Sequence, residues 1–408
     1  MRKVDVVIVG GSLAAAAAAK RLVDAGLETV ILEKQKLPRH KICSGILSPR
    51  GHRFLLENFG PLPAKVLHQP TSCRGVTFHF PSMLSMPMDF FGGPTPHLHR
   101  KYSDHWAIER SGAEVMDDTS FLSQQQSDVP GDGHVLVTAR KRGGEAFELK
   151  AKYLIGADGP VSPVLRSLYP TYHKDIPMFF VGQKFHEIID CPLDEDYFHF
   201  WFHPDLGHYT WSHARDGRQI VGVGYKIGDK FHDRHAYVSK YFEEKHGVRL
   251  KPADDDHEGC SENFGPSLIN RYAFGKGRVL ITGQATGFLN MIGEGMSCAL
   301  HSGAIAGESV VDAMFRQRPV QEVYRKNIAS EVRRTTDQWN PLKIAFDKPH
   351  EADFPKALMA MPMKERVIVM RDIWRFLTLY KEFKWGRQIA AVSMQRLLRG
   401  DYSQKNWL

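Results

Sequence analysis

Two hydrophobic periods alternate along this chain. Val4 to Val9 (VDVVIV) is a nearly unbroken β-branched run, the pattern of a strand buried on both faces. Gly10-Gly11-Ser12 then imposes a turn, and Leu13 to Ala25 is Ala-rich, which predicts a helix. Gly26 can close that helix, and Thr29 to Leu32 starts a second apolar strand that ends at Glu33. Ser48-Pro49 opens a predicted helix to Asn58, and a second helix covers Asp104 to Ser111. His134 to Arg140 and Ala146 to Ala151 read as a hairpin over Gly143-Gly144. Val66 to Phe91 and Met178 to Gly228 instead alternate at period two in short, aromatic-rich runs, which predicts an antiparallel sheet. Asp229 to Gly247 and most of Pro319 to Leu408 read as helix. In the latter, Val367, Met370, Ile373, Phe376, Leu377 and Tyr380 recur at helical spacing.

Three strand–turn–helix stretches stand out from this background. The first is the opening βαβ unit. Its turn reads Gly10-Gly11-Ser12-Leu13-Ala14-Ala15, a G-x-G-x-x-G pattern in which Ser12 and Ala15 replace two glycines with other small residues. Such a turn brings backbone N–H groups and the positive end of a helix to a pyrophosphate, and an acidic residue about 20 positions on, here Glu33, suits ribose hydroxyls. The alternative is a βα unit that binds nothing. The second stretch is Tyr153 to Arg166, where a strand enters Gly156-Ala157-Asp158-Gly159 and Ser162 can cap a helix. The third runs from Val279 through Gly283-Gln284-Ala285 and Gly293-Glu294-Gly295 to a small-residue helix beginning near Met296.

The 408 residues hold two or three domains. A formal net charge of +8 is concentrated in Pro319–Leu408, which has 17 Lys and Arg against 10 Asp and Glu. Peripheral contact of this tail with an anionic membrane is one expectation, and a solvated helical face is the other. No nucleic-acid partner is expected. Five scattered cysteines without a C-x-x-C pair argue against a disulfide framework or a zinc site, and no metal is expected. With no signal peptide ahead of the first strand, a cytoplasmic location is expected.

The three stretches, in this order, resemble class A FAD-dependent oxidoreductases, the group similar to p-hydroxybenzoate hydroxylase. Within it the chain looks most like the geranylgeranyl reductases. That likeness rests on Lys41-Ile42-Cys43-Ser44-Gly45, on Arg100-Lys101-Tyr102-Ser103-Asp104-His105-Trp106, and on Phe288 to Gly295 followed by Ser297 to Gly303. The resemblance implies an α/β fold. A discontinuous Rossmann-type FAD-binding domain would comprise residues 1–65, 98–172 and 273–318. An antiparallel-sheet substrate domain would comprise 66–97 and 173–272, and a helical segment 319–408.

The resemblance further implies roles. Gly10, Ser12, Leu13, Ala14 and Ala15 would line the FAD pyrophosphate, with Glu33 on the adenosine ribose. Lys34 and Lys41 of the basic loop would face the cofactor, and Cys43, Ser44 and Ile46 would lie near its ring. Arg100 would contact the ribityl–phosphate region, Leu122 the adenine side, and Asp158 would brace the cofactor. Gly283, Gln284, Gly293, Gly295 and Met296 would serve the ribityl chain and the flavin edge. Gln284 stands where the family usually has Asp.

Reduced FAD would give hydride to a carbon–carbon double bond of a hydrophobic, isoprenoid-like substrate, with NAD(P)H or another donor supplying electrons and Cys43 as candidate proton donor. Tyr209, Trp211 and His213 are candidates for the substrate wall, with ordinary sheet packing as the alternative. An aromatic monooxygenase using NAD(P)H and O2 would carry the same motifs. A flavoprotein fold that has lost its cofactor and kept a binding role is the non-enzymatic reading.

Overall fold

The computed structural model describes residues 1–79, 85–129, 132–201, 203–206, 210–225, 229–251, 257–290, 292–347, 362–364 and 366–367. Tyr209 and the basic amphipathic stretch centred on residues 370–380, with its expected membrane contact, lie outside them. The chain opens with β1 (Arg2–Val9), α1 (Leu13–Asp24), β2 (Thr29–Leu32) and α2 (Pro49–Phe59). It continues through β3 (Leu67–Cys73), β4 (Gly75–His79), β5 (Ser85–Asp89), β6 (Thr95–Leu98) and α3 (Arg100–Ser111). Next come β7 (Glu114–Met116), β8 (Thr119–Ser127), β9 (His134–Lys141), β10 (Ala146–Gly156) and α4 (Pro163–Leu168). The aromatic-rich region forms β11 (Phe179–His186), β12 (Ile188–Asp190), β13 (Tyr197–Trp201), β14 (Thr210–Arg215), β15 (Arg218–Tyr225) and α5 (Phe231–His246). The remaining elements are β16 (Arg249–Leu250), β17 (His257–Glu262), α6 (Gly265–Ile269), β18 (Gly275–Lys276), β19 (Val279–Ile281), α7 (Met296–Arg316) and α8 (Val320–Asp347).

Among the described residues, one sheet has eight strands and another has seven. In the first, β1 lies between β2 and β10, both parallel to it, and β19 runs parallel to β10 on the far side. Three of the apolar runs read from the sequence thus lie side by side, and their C-terminal ends open at one edge, where ligands bind in doubly wound sheets. The expected hairpin strand and the strand before Gly156 are one element. β10 pairs antiparallel with β9 through Ala146–Ala151 and parallel with β1 through Leu149–Gly156. Helix α3 begins at Arg100, four residues before the expected start, and so places Arg100 and Asp104 one turn apart.

The second sheet has the order β17-β11-β15-β14-β13-β4-β5. It departs from a purely antiparallel expectation at one place, where β4 runs parallel to β13. The chain between these strands passes through the first sheet, and a connection of that length permits parallel pairing where a hairpin does not. The two faces of this sheet are covered differently. Trp201, Val221 and Val223 pack with Phe231, Val238 and Phe242 of α5. The opposite face carries Val76, Phe78, Val181, Phe198, Phe200 and Trp211, packed against Ile46 and Ile292 from loops of the first half.

Candidate functional site

The turn after β1 shows why its residues are small. Gly10 has φ +102°, and a Cβ there would lie 2.4 Å from the Ala157 carbonyl oxygen. Gly11 donates its N–H to Glu33 Oε2 at 2.7 Å. Ser12 caps α1 in an extended conformation, and its hydroxyl makes no capping hydrogen bond. The first-turn amides are therefore left for an external acceptor, the arrangement that receives phosphate. Ala14 to Ala19 are all buried. A Cβ on Gly303 would stand 2.2 Å from the Ala14 carbonyl oxygen, so α7 crosses α1 nearly backbone to backbone. Ala15 occupies a closed position where a methyl group is accommodated, and Ser12 sits at the half-buried mouth.

Beneath this turn runs a chain of alternating charges. Glu33 is 4% exposed and pairs with Arg39, whose Nε lies 3.2 Å from Oε2. Arg39 also donates to the Gly11 carbonyl at 2.7 Å and approaches Asp104 at 3.6 Å. Asp104 accepts from Arg100 Nε at 2.7 Å and from its Nη2 at 3.0 Å, and the Arg100 guanidinium in turn interacts with the Cys43 thiol. Sequence reasoning gave roles to Glu33, Arg100 and Cys43, while Arg39 entered only as part of the basic loop and Asp104 only within the Arg100–Trp106 stretch. The (i, i+4) spacing of Arg100 and Asp104 was the available signal for one of them.

Asp158 stands at the end of β10. Its Oδ2 accepts the Val164 N–H at 3.0 Å, and Oδ1 is buried without a hydrogen-bond partner. Burial raises this carboxyl to about 6, with Lys34 within electrostatic reach. Gly283 donates to Ser302 Oγ at 3.1 Å, and the Gln284 carbonyl accepts from Asn263 Nδ2 at 3.1 Å. Leu122 is 44% exposed on β8.

The third part lies between the two sheets. Gly45 has φ +86°, and a Cβ there would be 2.5 Å from the Leu98 carbonyl oxygen. Gly45 N–H points at Cys43 Sγ, 3.4 Å away. In the loop before α7, Asn290 Oδ1 accepts the N–H groups of Ile292 and Glu294, and Glu294 accepts that of Ser297. Helix α7 starts behind this loop at Met296, which is buried. A small cavity opens here, walled by Ile46, Val76, Phe90, Phe198 and Ile292, with Ser44, Ser48 and Glu294 at its polar edge. Trp211 and His213 alternate on β14, on the same sheet face as Phe198 and Val76. Both are buried, and the Trp211 indole lies over Gly222, where a Cβ would be 2.0 Å from the ring.

Sequence reasoning set Lys41 toward the cofactor but missed Glu262, with which the structure groups it. Lys41 lies among Arg100, Asp104 and Cys260, and burial lowers its ammonium. Glu262 on β17 is pushed up to about 7 by burial, with Lys41 opposing, and its Oε2 is unpartnered. The only signal was a polar residue on a period-two strand next to a loop distant in sequence.

The arrangement fits an FAD. It offers a glycine cradle beneath uncapped helix amides, a buried carboxylate at Glu33, a half-buried one at Asp158 with an orphaned oxygen, and a small apolar-walled cavity beside the loop into α7. Comparison with known proteins agrees. A family model described as an FAD binding domain matches residues 3–205. Protein CbrA of Escherichia coli strain HS is 27% identical over 319 residues, covering 75% of this chain and 81% of that protein. A geranylgeranyl bacteriochlorophyll reductase-like structure from Thermoplasma acidophilum shares the fold with a TM-score of 0.70 at 18% identity, over 93% of this chain and 98% of its own. The p-nitrophenol 4-monooxygenase PnpA from Pseudomonas putida gives a TM-score of 0.62 at 16% identity, over 97% and 99%.

Proposed function

The chain belongs to the class A FAD-dependent oxidoreductases of p-hydroxybenzoate hydroxylase-like fold, and from that premise we propose that it reduces carbon–carbon double bonds of a hydrophobic substrate such as an isoprenoid chain. The observation that carries this reading is the apolar face of the second sheet, Val76, Phe78, Phe198 and Phe200, packed toward Ile46 and Ile292 around a cavity of about 20 Å³. Once bound and reduced by NAD(P)H or another electron donor, FAD would supply the hydride.

The protein's own groups do the rest. The amides at the start of α1 bind the pyrophosphate, and Glu33 and Asp158 accept cofactor hydroxyls. At the start of α7 the Glu294 carboxylate accepts the Ser297 N–H at 2.7 Å and so fixes the loop that borders the cavity. Phe198, Phe90 and Trp211 exclude water from the substrate. Cys43, whose Sγ accepts the Gly45 N–H at 3.4 Å, is the candidate donor of the proton that completes the reduction.

The test is anaerobic. The FAD-loaded protein is photoreduced and mixed with polyprenyl or phenolic compounds, and flavin absorbance and product mass are followed. Reoxidation by a polyprenyl compound with a gain of two hydrogens supports the reading. NAD(P)H oxidation with O2 uptake matched to a hydroxylated product overturns it in favour of a monooxygenase. Failure to take up FAD overturns both.

A further inference from the structure

We propose that Arg215 and His97 are positioning residues that hold the Cys43–Ser44–Gly45 turn in one placement beside the cofactor. This rests on FAD binding at the site and not on the choice of reaction.

Consecutive carbonyls of the turn are each gripped from outside the first sheet, one by β14 and two by β6. Cys43 O accepts from Arg215 Nη1 at 2.9 Å. Ser44 O faces His97 Nε2 at 2.9 Å. Gly45 O accepts from the Leu98 N–H at 2.8 Å. With every acceptor turned toward the sheet side, the turn cannot rotate about its peptide planes without breaking a buried hydrogen bond.

The clamps are themselves fixed. The Arg215 guanidinium lies over the Phe185 ring at 4.5 Å. The β14–β15 turn beyond it is pinned to β3, because Asp216, at φ +50°, accepts from the Gln69 N–H at 2.9 Å and pairs with His68 Nδ1 at 2.7 Å. His97 is fully buried, and its other nitrogen, Nδ1, faces the Pro70 carbonyl at 3.1 Å. Burial lowers this imidazole to about 4. It is therefore neutral at pH 7 and donates from one nitrogen, which we assign to Nε2, the shorter contact.

The placement of Arg215 gives the clamp a function. Trp211, His213 and Arg215 alternate along one face of β14. The strand that presents the candidate substrate wall thus also ends on the carbonyl of Cys43. A substrate pressing on that wall and the thiol beside the cofactor are joined through one strand.

The test uses the full-length FAD-loaded chain and the variants Arg215→Met, Arg215→Lys and His97→Leu. The readouts are the visible flavin spectrum and the rate at which iodoacetamide labels Cys43, followed by peptide mass spectrometry. Buried Cys73 and Cys298 serve as internal references for global loosening. Losing one charged hydrogen bond should raise Cys43 labelling about tenfold in Arg215→Met. The flavin band should shift, Cys73 and Cys298 should stay unlabelled, and Arg215→Lys should fall between. His97→Leu should act in the same direction. If Arg215→Met does not fold, Arg215→Lys and His97→Leu carry the test. Unchanged Cys43 labelling and an unchanged spectrum in the folded variants overturn the proposal, as does labelling of Cys73 and Cys298 in step with Cys43. Failure of the reductase reading leaves these readouts untouched.

Discussion

Glu33 shows how much one side chain settles. Its carboxylate takes the Gly11 N–H, and with it the shape of the phosphate turn, while also neutralising Arg39. Glu33→Ala leaves Arg39 its remaining carboxylate partner, Asp104, 3.6 Å away. Arg39 keeps that longer pair, so the loss is mainly the charged hydrogen bond to the Gly11 N–H, about 1.5–3 kcal/mol. The variant should lose about that much in urea unfolding and fail to take up FAD. Glu33→Gln, which keeps an acceptor for Gly11, should lose less. Asp158 supplies a pH test of the same site. Its ordinary value of 3.8 rises to about 6 in the folded chain. A raised folded value means that the stability linked to this carboxyl is fully present below about pH 3.8 and is lost as pH rises through about 6, a difference of order 2–3 kcal/mol before solvent screening. Asp158→Asn should therefore gain in Tm relative to the parent between pH 5 and pH 7.5 in the flavin-free protein. A flat difference across that range would show that the carboxyl titrates normally.

Helices α1 and α7 meet through small residues, and that contact aligns both helix starts on the cofactor site. Because a Cβ on Gly303 would collide with the Ala14 carbonyl at 2.2 Å, Gly303→Ala must push the helices apart. It should destabilise the fold by about 1–3 kcal/mol and weaken FAD binding, measured by chemical unfolding and flavin fluorescence. Gly144→Ala, in an exposed hairpin where a Cβ would meet its nearest neighbour at 3.5 Å, is the matched control and should be nearly neutral. Legibility also divides at this scale. β1, α1, β2 and α7 were readable because local pattern and tertiary role coincide in them: continuous apolar runs became buried parallel strands, and small-residue runs became close-packed helices. The dual pairing of β10 and the parallel β4–β13 pair were not readable, since hydrophobic period fixes which face is buried and not which strand lies alongside. The Arg39–Asp104 contact was hidden for a related reason. It joins residues of one polar loop and one helix whose meeting depends on the whole fold.

At the scale of the molecule, the candidate site belongs to neither sheet alone. The first sheet supplies the phosphate turn and the carboxylates, the second supplies the apolar wall, and the Cys43–Gly45 turn is held by groups from outside the first sheet. A ligand that fits this composite site should stabilise both halves together. Binding to the folded state alone adds RT ln(1 + [L]/Kd), about 2.7 kcal/mol at a hundredfold excess over Kd. Thermal unfolding should be followed by circular dichroism and, separately, by the labelling of Cys73, which is buried in the core of the second sheet. With FAD added, both probes should move to higher temperature by the same amount, and the shift should grow with the logarithm of FAD concentration. A rise in circular dichroism alone would mean that the cofactor secures the first sheet while the second opens independently, and a shared site would then not describe the molecule. No shift in either probe would favour a flavoprotein fold kept for binding something else. The decisive comparison is the double condition of FAD with Arg215→Met. If the clamp is what joins the halves, the two probes should separate in that variant and stay together in the parent.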